Sequence, residues 1–319
     1  VGPAAGATPA AAGASPVVDE ISVLDKLRGN YFVRHWRGEL SVGRSYWLNI
    51  FLVNLAWTVI VKVVTLVGLE EIVLLPRAAG WLVFTVILYG LIIWQVIGLV
   101  RASLASPSTF SRRSGIVGAL IMIGGPIYHS VASYYPVTKE MVLMLAGDPD
   151  IPAMKIDVLK DGAEIEMRGG IPAGSSRDVI AALRAHPNVK VLHVNSDGGR
   201  AYDALKIAAE VERLKLTTVV DLTCESGGTI VFLAGQRRVA MHSSRIGFHR
   251  ATVGGPSVAL AQPTNDQLAS YYTKRGVKRA FVDNILSTPG ASMWRPSLAS
   301  MVEAGFLTEI SDGIEFAPS

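Results

Sequence analysis

Apolar and polar positions change their rhythm once along this chain. Up to about residue 136 the apolar residues come in long runs, and from about 150 they alternate or recur at helical spacing. Three long runs stand in the first part, Tyr46 to Gly68, Trp81 to Val100 and Ile116 to Tyr135. A helix needs about 20 mostly apolar residues to cross the hydrocarbon core. The runs therefore predict spans at 46–68, 81–100 and 116–135, an all-α transmembrane region over 46–136. Asn49, Asn54 and Lys62 interrupt the first, Gln95 the second, and Gly124, Gly125, Pro126 and His129 the third. A re-entrant or interfacial helix is the alternative for the third. Ionisable groups in lipid mark a pathway, or they pack and snorkel. With no regular ladder of charges around Lys62 and His129, packing is the better reading.

Past residue 150 the pattern is that of an α/β domain running to 319. Met154–Leu159 and Glu164–Met167 alternate around Lys160-Asp161-Gly162, which predicts a hairpin. Helical spacing follows at 177–185, with Val179, Ile180 and Leu183 on one face, and at 203–214, with Leu205, Ile207, Ala208 and Val211 inward. Strands are expected at 189–194, 219–222, 238–241 and 245–249, and helices at 229–234, 264–275, 277–286 and 297–304. Strands alternating with helices argue for a parallel-type sheet covered by helices.

Composition sharpens this division. Of 319 residues, 50% are hydrophobic and only 18% charged, and the apolar excess sits before residue 136. Residues 1–17 are nearly all Ala, Gly, Pro, Ser and Thr, so a disordered tail is expected there. A basic juxtamembrane segment then runs to 45, with Lys26, Arg28, Arg34, Arg37 and Arg44 around Tyr31, Phe32 and Trp36. The net charge of +4 comes largely from arginines flanking the apolar runs, which points to membrane topology and away from nucleic acid. Five basic residues precede the first run, one lies in 69–80, three in 101–115 and two in 136–155. The positive-inside rule then puts the N-terminus in the cytoplasm. Three spans carry the C-terminal domain outside, to the periplasm in a bacterial-type inner membrane, and two would leave it inside. Cys224 is the single cysteine, so no intrachain disulfide and no cysteine-based zinc cage can form. No metal or other cofactor is expected, and no phosphate-binding G-x-x-x-x-G-K-[ST] loop is present.

The chemistry gathers around T-C-E-S-G-G-T-I-V-F-L-A-G at 223–235, where a strand-like run leads into a glycine-rich turn and an apolar helix. A serine at such a turn can be presented as a nucleophile, and glycines let other backbone come close. Two further stretches stand with it, N-S-D-G-G at 195–199 and R-I-G-F-H-R at 245–250. With M-R-G-G-I at 167–171 and A-S-M-V-E-A-G-F-L-T at 299–308 they make five motifs in order. In that order the region from about 154 to 312 resembles the Clp protease proteolytic-subunit (ClpP-like) family of the crotonase-like superfamily, especially its membrane-associated or periplasmic relatives. The resemblance covers about half the chain. It implies an α/β fold of repeated β-β-α units, a homo-oligomer, and a membrane-anchored serine peptidase acting on peptide or protein substrates.

Role by role, the resemblance makes Ser226 the nucleophile and His249, 23 residues further on, its base. It places the oxyanion hole on the backbone N–H groups of Gly199 and Gly227, and a bound peptide near 251–262. The family's orienting aspartate has no counterpart, since no acid lies between Asp283 and Glu303. Thr288 or Ser292 stands near its place, which leaves a Ser–His dyad or a triad with a non-acidic third member. Glu225 beside the nucleophile and Asp197 in the glycine turn are further departures. They support the alternative, a catalytically weak or inactive scaffold protein in the membrane. A Ser–Lys dyad with Lys274 or Lys278 and acyl-CoA chemistry on the same fold have less in their favour. His193 and His242 lack motif and spacing and read as structural.

Overall fold

In a computed structural model the described residues are 29–66, 74–129, 131, 134–253 and 258–312. The expected tail at 1–17, residues 254–257 of the expected peptide surface, and the side chain of His129 lie outside them. Two compact units divide the chain, one of residues 1–70 and 85–128, the other of 71–84 and 129–319.

The helices before the sheet are α1 Tyr31–Arg37, α2 Val42–Tyr46, a π-helical stretch Trp47–Leu52, α3 Val53–Leu66, α4 Leu74–Ala105 and α5 Thr109–His129. Asn30 and Ser41 start the first two as side-chain caps, accepting from the N–H groups of Phe32 and Arg44. The polar residues of the first two runs meet inside the first unit. Gln95 donates to the carbonyl of Asn49 at 2.7 Å, and Tyr31 donates to the Asn49 side chain at 2.9 Å. The exposed faces are apolar, with Val86, Ile87, Leu120 and Ile121 all more than half exposed.

The three expected spans fare differently. One helix among the described residues, Ala78–Ala105, is long and apolar enough to cross a membrane, and it contains the 81–100 run. The 46–68 run is covered as far as Leu66 by the end of α2, the π-helical stretch and the 14 residues of α3, with Tyr46 and Val53 on either side of the π stretch both in the right-handed helical conformation. The 116–135 run begins within α5, whose first turns carry Arg112 and Arg113, and the chain has passed into the next helix by Tyr135. The described residues before the sheet are mainly helical, and one of these helices is both long and apolar enough to cross a membrane. The next helix, α6 Tyr135–Leu145, was not evident in the sequence. Pro136 stands in its first turn, where a missing N–H costs nothing.

The second unit is built on eight strands: β1 Lys155–Leu159, β2 Glu164–Ile171, β3 Val191–Gly199, β4 Thr217–Val220, β5 Thr223–Glu225, β6 Arg237–Met241, β7 Arg245–Gly247 and β8 Glu309–Ser311. Its helices are α7 Ser175–Ala185, α8 Ala201–Leu214, α9 Gly227–Leu233, α10 Val258–Lys274, α11 Arg279–Ser287 and α12 Leu298–Glu303. The main sheet has the order β1-β2-β3-β4-β6-β8, antiparallel only between β1 and β2. A short branch, β5 and β7, leaves it at the far end of β3 through the pair Ser196 and Cys224. Strand pairs followed by a helix recur along the chain, while β3 is one long strand that serves both layers.

Asn195 makes that fork possible. β3 pairs with β4 up to His193 and with β5 from Ser196, so the chain between β4 and β5 has no ladder partner. The Asn195 side chain takes the ladder's place, accepting the N–H groups of Asp221 (3.2 Å) and Leu222 (2.9 Å) while its amide donates to Glu166 (2.7 Å). An Asn195→Leu variant would keep the volume and strand both N–H groups. Each orphaned group costs about 1–3 kcal/mol when fully buried and these two are only part-buried, so a loss of roughly 2–4 kcal/mol is expected, read as a lower midpoint in denaturant.

Val194, Ile207, Val231, Phe232, Phe248 and Phe306 form the centre of the core. Phe248 packs edge-on against Phe306 and Phe281, with centroids 4.8 and 5.3 Å away. Its backbone exchanges two 2.9 Å hydrogen bonds with Trp294. This fixes the residue immediately before His249 on both sides.

Candidate active site

Ser226 sits between β5 and α9 with φ +50° and ψ −120°, a backbone conformation that costs a non-glycine residue about 1–3 kcal/mol. Three hydrogen bonds hold it there. Its N–H donates to Gly247 (2.9 Å), and its carbonyl accepts from the N–H (3.0 Å) and hydroxyl (2.6 Å) of Thr229. Buried apolar residues of α9 keep the helix in place behind it. The hydroxyl is thus carried on a sharp strand-to-helix corner that the surrounding fold over-determines.

The glycine turn packs directly onto this corner. The sequence suggested a turn at N-S-D-G-G, but β3 continues through Gly199, with Gly198 at φ +90° and Gly199 at φ +145°. Ser196 shapes the bend by donating to Gly169 (2.8 Å) and accepting from the N–H of Gly198 (3.1 Å). A Cβ on Gly198 would fall 2.6 Å from the Ser226 Cβ and 2.9 Å from the Gly227 nitrogen. A Cβ on Gly227 would fall 3.1 Å from the Gly199 nitrogen. The backbones of Gly199 and Gly227 therefore lie side by side next to Ser226.

His249 lines the same cleft, a space of about 560 Å³ that also includes Ser226, Gly199 and Gly227. Its Nδ1 lies 2.8 Å from the carbonyl of Arg250. A carbonyl can only accept, so Nδ1 carries a proton, and in the neutral ring Nε2 has the lone pair. In a serine hydrolase that is the tautomer a base needs. No hydrogen bond joins Ser226 to His249 among those described. The Arg250 N–H in turn donates to the carbonyl of Thr288 at 3.1 Å.

Thr288 contributes that carbonyl, while its hydroxyl donates to Asn284 at 2.8 Å. Ser292 is exposed, with its N–H on the carbonyl of Pro289. Neither hydroxyl is among the described partners of His249. Glu225 is turned to Arg295, which donates to it at 2.7 and 2.9 Å, and it is not among the residues lining the cleft. Asp197 is exposed. Lys274 and Lys278 are exposed and also lie outside the cleft lining. In the segment expected to receive a peptide, both backbone groups of Ala251 are taken by the buried Asn265 side chain, at 2.8 and 3.2 Å. Thr252 and Val253 line the cleft.

Three features of the cleft are not evident from the sequence: Gly198 as a packing surface for Ser226, the Arg250 carbonyl against His249, and Arg200 beside Gly199. Backbone carbonyls leave no signature in a sequence, and an arginine after a glycine pair reads as a solvated residue.

A second cleft, of about 440 Å³, lies around His193. The ring nitrogens meet Asp221 (2.7 Å) and Glu164 (2.9 Å), so both must donate and the imidazole is held as a cation. Burial pulls its pKa down, but the hydrogen bonds and charges of Asp221 and Glu164 outweigh this and keep it above the ordinary value of 6.5. A folded-state pKa above the unfolded one gives stability that is complete below about 6.5 and fades as pH rises through the folded value. The thermal midpoint is expected to fall as pH rises above that value, and His193→Gln is expected to flatten the dependence.

No family model matches the chain, and no curated protein is similar to it. Among solved structures, ClpP1 from Listeria monocytogenes is similar with a TM-score of 0.42 and 16% identity, over 49% of this chain and 94% of its own. A point mutant of the same protein is similar with a TM-score of 0.40 and 15% identity over the same shares.

Proposed function

We propose that the chain is a membrane-anchored serine peptidase whose nucleophile is Ser226 and whose base is His249. The observation that carries this reading is the strained corner at Ser226, opening into one cleft with a histidine whose Nδ1 proton is spent on a backbone carbonyl. Strain of this kind concentrates where a reactive group is presented. In the proposed reaction the Ser226 oxygen attacks a peptide carbonyl and Nε2 of His249 takes the hydroxyl proton. The tetrahedral oxygen is held by the N–H groups of Gly199 and Gly227, and the imidazolium returns its proton to the leaving amine. Here the Arg250 carbonyl orients the ring in place of a carboxylate. It supplies direction without the full charge that would stabilise an imidazolium, so slow turnover is expected. Ile230, Leu268, Ile285 and Leu286 line the cleft and suit an apolar substrate side chain.

The bilayer as support, a peptide or protein substrate, a homo-oligomer and an extracytoplasmic position for the sheet domain belong to the same proposal. No nucleic-acid role is part of it. The test is covalent labelling of the full-length protein with a fluorophosphonate. An adduct on Ser226, absent in Ser226→Ala, is the expected result. A folded protein that takes no label at Ser226 would sink the reading and leave the scaffold alternative, which the missing carboxylate at His249 favours.

A further inference from the structure

We propose that Arg200 is a positioning residue that fastens the Gly198–Gly199 bend to the segment 140–148, so that the reactivity of Ser226 depends on this segment being docked; the proposal rests on the peptidase reading. Arg200 follows directly on Gly199 and precedes α8. Its N–H donates to the carbonyl of Ile171 at 2.8 Å, and its side chain takes no part in capping the helix. The guanidinium instead reaches the chain before the sheet. Its Nε lies 3.1 Å from each carboxylate oxygen of Asp148, its Nη2 also meets Asp148, and its Nη1 meets Glu140.

The acceptor is built for this. Asp148 is 2% exposed, and its Oδ2 also accepts the N–H of Ala173 at 2.8 Å. It sits at φ +53°, in the turn that ends α6, with its N–H on the carbonyl of Leu143. The same segment supplies Met144 to the lining of the cleft. Exposed ion pairs are worth little. This one is different because removing Arg200 leaves the buried Asp148 carboxylate unmatched, while removing Asp148 leaves Arg200 with Glu140 alone. A lysine would not replace it, since a point charge cannot fork onto one carboxylate with Nε and Nη2 while reaching a second carboxylate with Nη1. In sequence the clamp joins the stretch that follows the apolar helices to the bend beside the candidate oxyanion site. Displacing 140–148 would then loosen Gly198 and Gly199, and through them Ser226.

The test uses the full-length protein with Arg200→Met, Asp148→Asn, the double variant and Arg200→Lys. The fluorophosphonate labelling rate is measured against reagent concentration, so that binding and maximal rate separate. Each single variant is expected to lower the maximal rate at Ser226 about 10- to 100-fold, with the half-saturating concentration little changed. The double variant should lose no more than the worse single one, because both break one clamp. Arg200→Lys should recover only part of the rate. Hydrogen exchange of 196–201 and 226–229 should quicken in the single variants while 237–241 stays protected. Wild-type rates in both single variants, or losses that multiply in the double one, would overturn the proposal. If the wild-type protein takes no label, the peptidase reading has failed and exchange alone decides the clamp. Unchanged exchange at 196–201, or a uniform rise across the domain, would then reject it.

Discussion

Replacing His249 by alanine is expected to slow fluorophosphonate labelling of Ser226 by about three orders of magnitude while leaving the fold intact. A serine hydroxyl is a weak nucleophile until a base accepts its proton, and members of such a pair act as a unit. The fold does not depend on the ring. His249 is only partly buried, and the position of its backbone is fixed by Phe248 in the aromatic core and by the ladder to Trp294. The imidazole spends one hydrogen bond on the Arg250 carbonyl, and deleting it frees an acceptor that solvent can reach. His249→Ala and Ser226→Ala should therefore unfold at wild-type denaturant concentrations. In the double variant the remaining reactivity should match that of Ser226→Ala alone. A His249→Ala protein that labels at the wild-type rate would remove histidine from the mechanism, and the base would have to be sought elsewhere in the cleft.

Gly198→Ala is expected to slow labelling about 100-fold or more and to cost stability as well. At φ +90° any side chain is strained by about 1–2 kcal/mol. The new methyl would also stand 2.6 Å from the Ser226 Cβ and 2.8 Å from the Glu225 carbonyl. Those atoms are held from behind by α9 and by the bond from Ser226 to Gly247, so the strain must move the corner itself. A displacement of this order costs a reaction about 10²-fold or more. The combined destabilisation should reach roughly 2–4 kcal/mol. Gly174→Ala is the control, because Gly174 has φ +89° and nothing within 4 Å of its would-be Cβ. It carries the backbone strain alone. Its labelling rate should be unchanged and its stability lowered by the smaller amount. Equal losses in the two variants would mean that Gly198 matters for its φ and not for its apposition to Ser226.

Periodicity by itself determined that an apolar helical part precedes an α/β part. Alternation at 154–167 marked the hairpin, and the 3.6-residue spacing at 203–214 marked α8, because each burial pattern is written locally in side-chain type. The motif at 223–228 also singled out Ser226 for a local reason: a serine where a strand meets a helix either caps the helix or presents its hydroxyl, and the Ser226 side chain makes no cap hydrogen bond. Apolar helices were harder to delimit. An apolar run shows that a segment avoids water, but it does not show where the helix breaks. The π-helical stretch Trp47–Leu52 lies inside the first run, and α6 takes up the last residue of the third, Tyr135. β8, three residues long, pairs with β6 only because distant residues offer an edge, and no local pattern announces it.

Tertiary structure alone decided what surrounds the serine. The sequence showed no acid between Asp283 and Glu303, where one to orient His249 was expected. It could not show that the ring turns to the carbonyl of Arg250, since every residue carries a carbonyl and only folding aims one. Glu225 looked hostile to a developing oxyanion until Arg295, 70 residues away in the chain, was brought against it. Asn195 appeared as part of a glycine motif, yet its buried amide bridges the fork between β4 and β5. Arg200 and Asp148, 52 residues apart, became a clamp beside the cleft. Side-chain pattern records which faces are buried, whereas hydrogen-bond partners far apart in the chain are chosen by the sheet that brings them together.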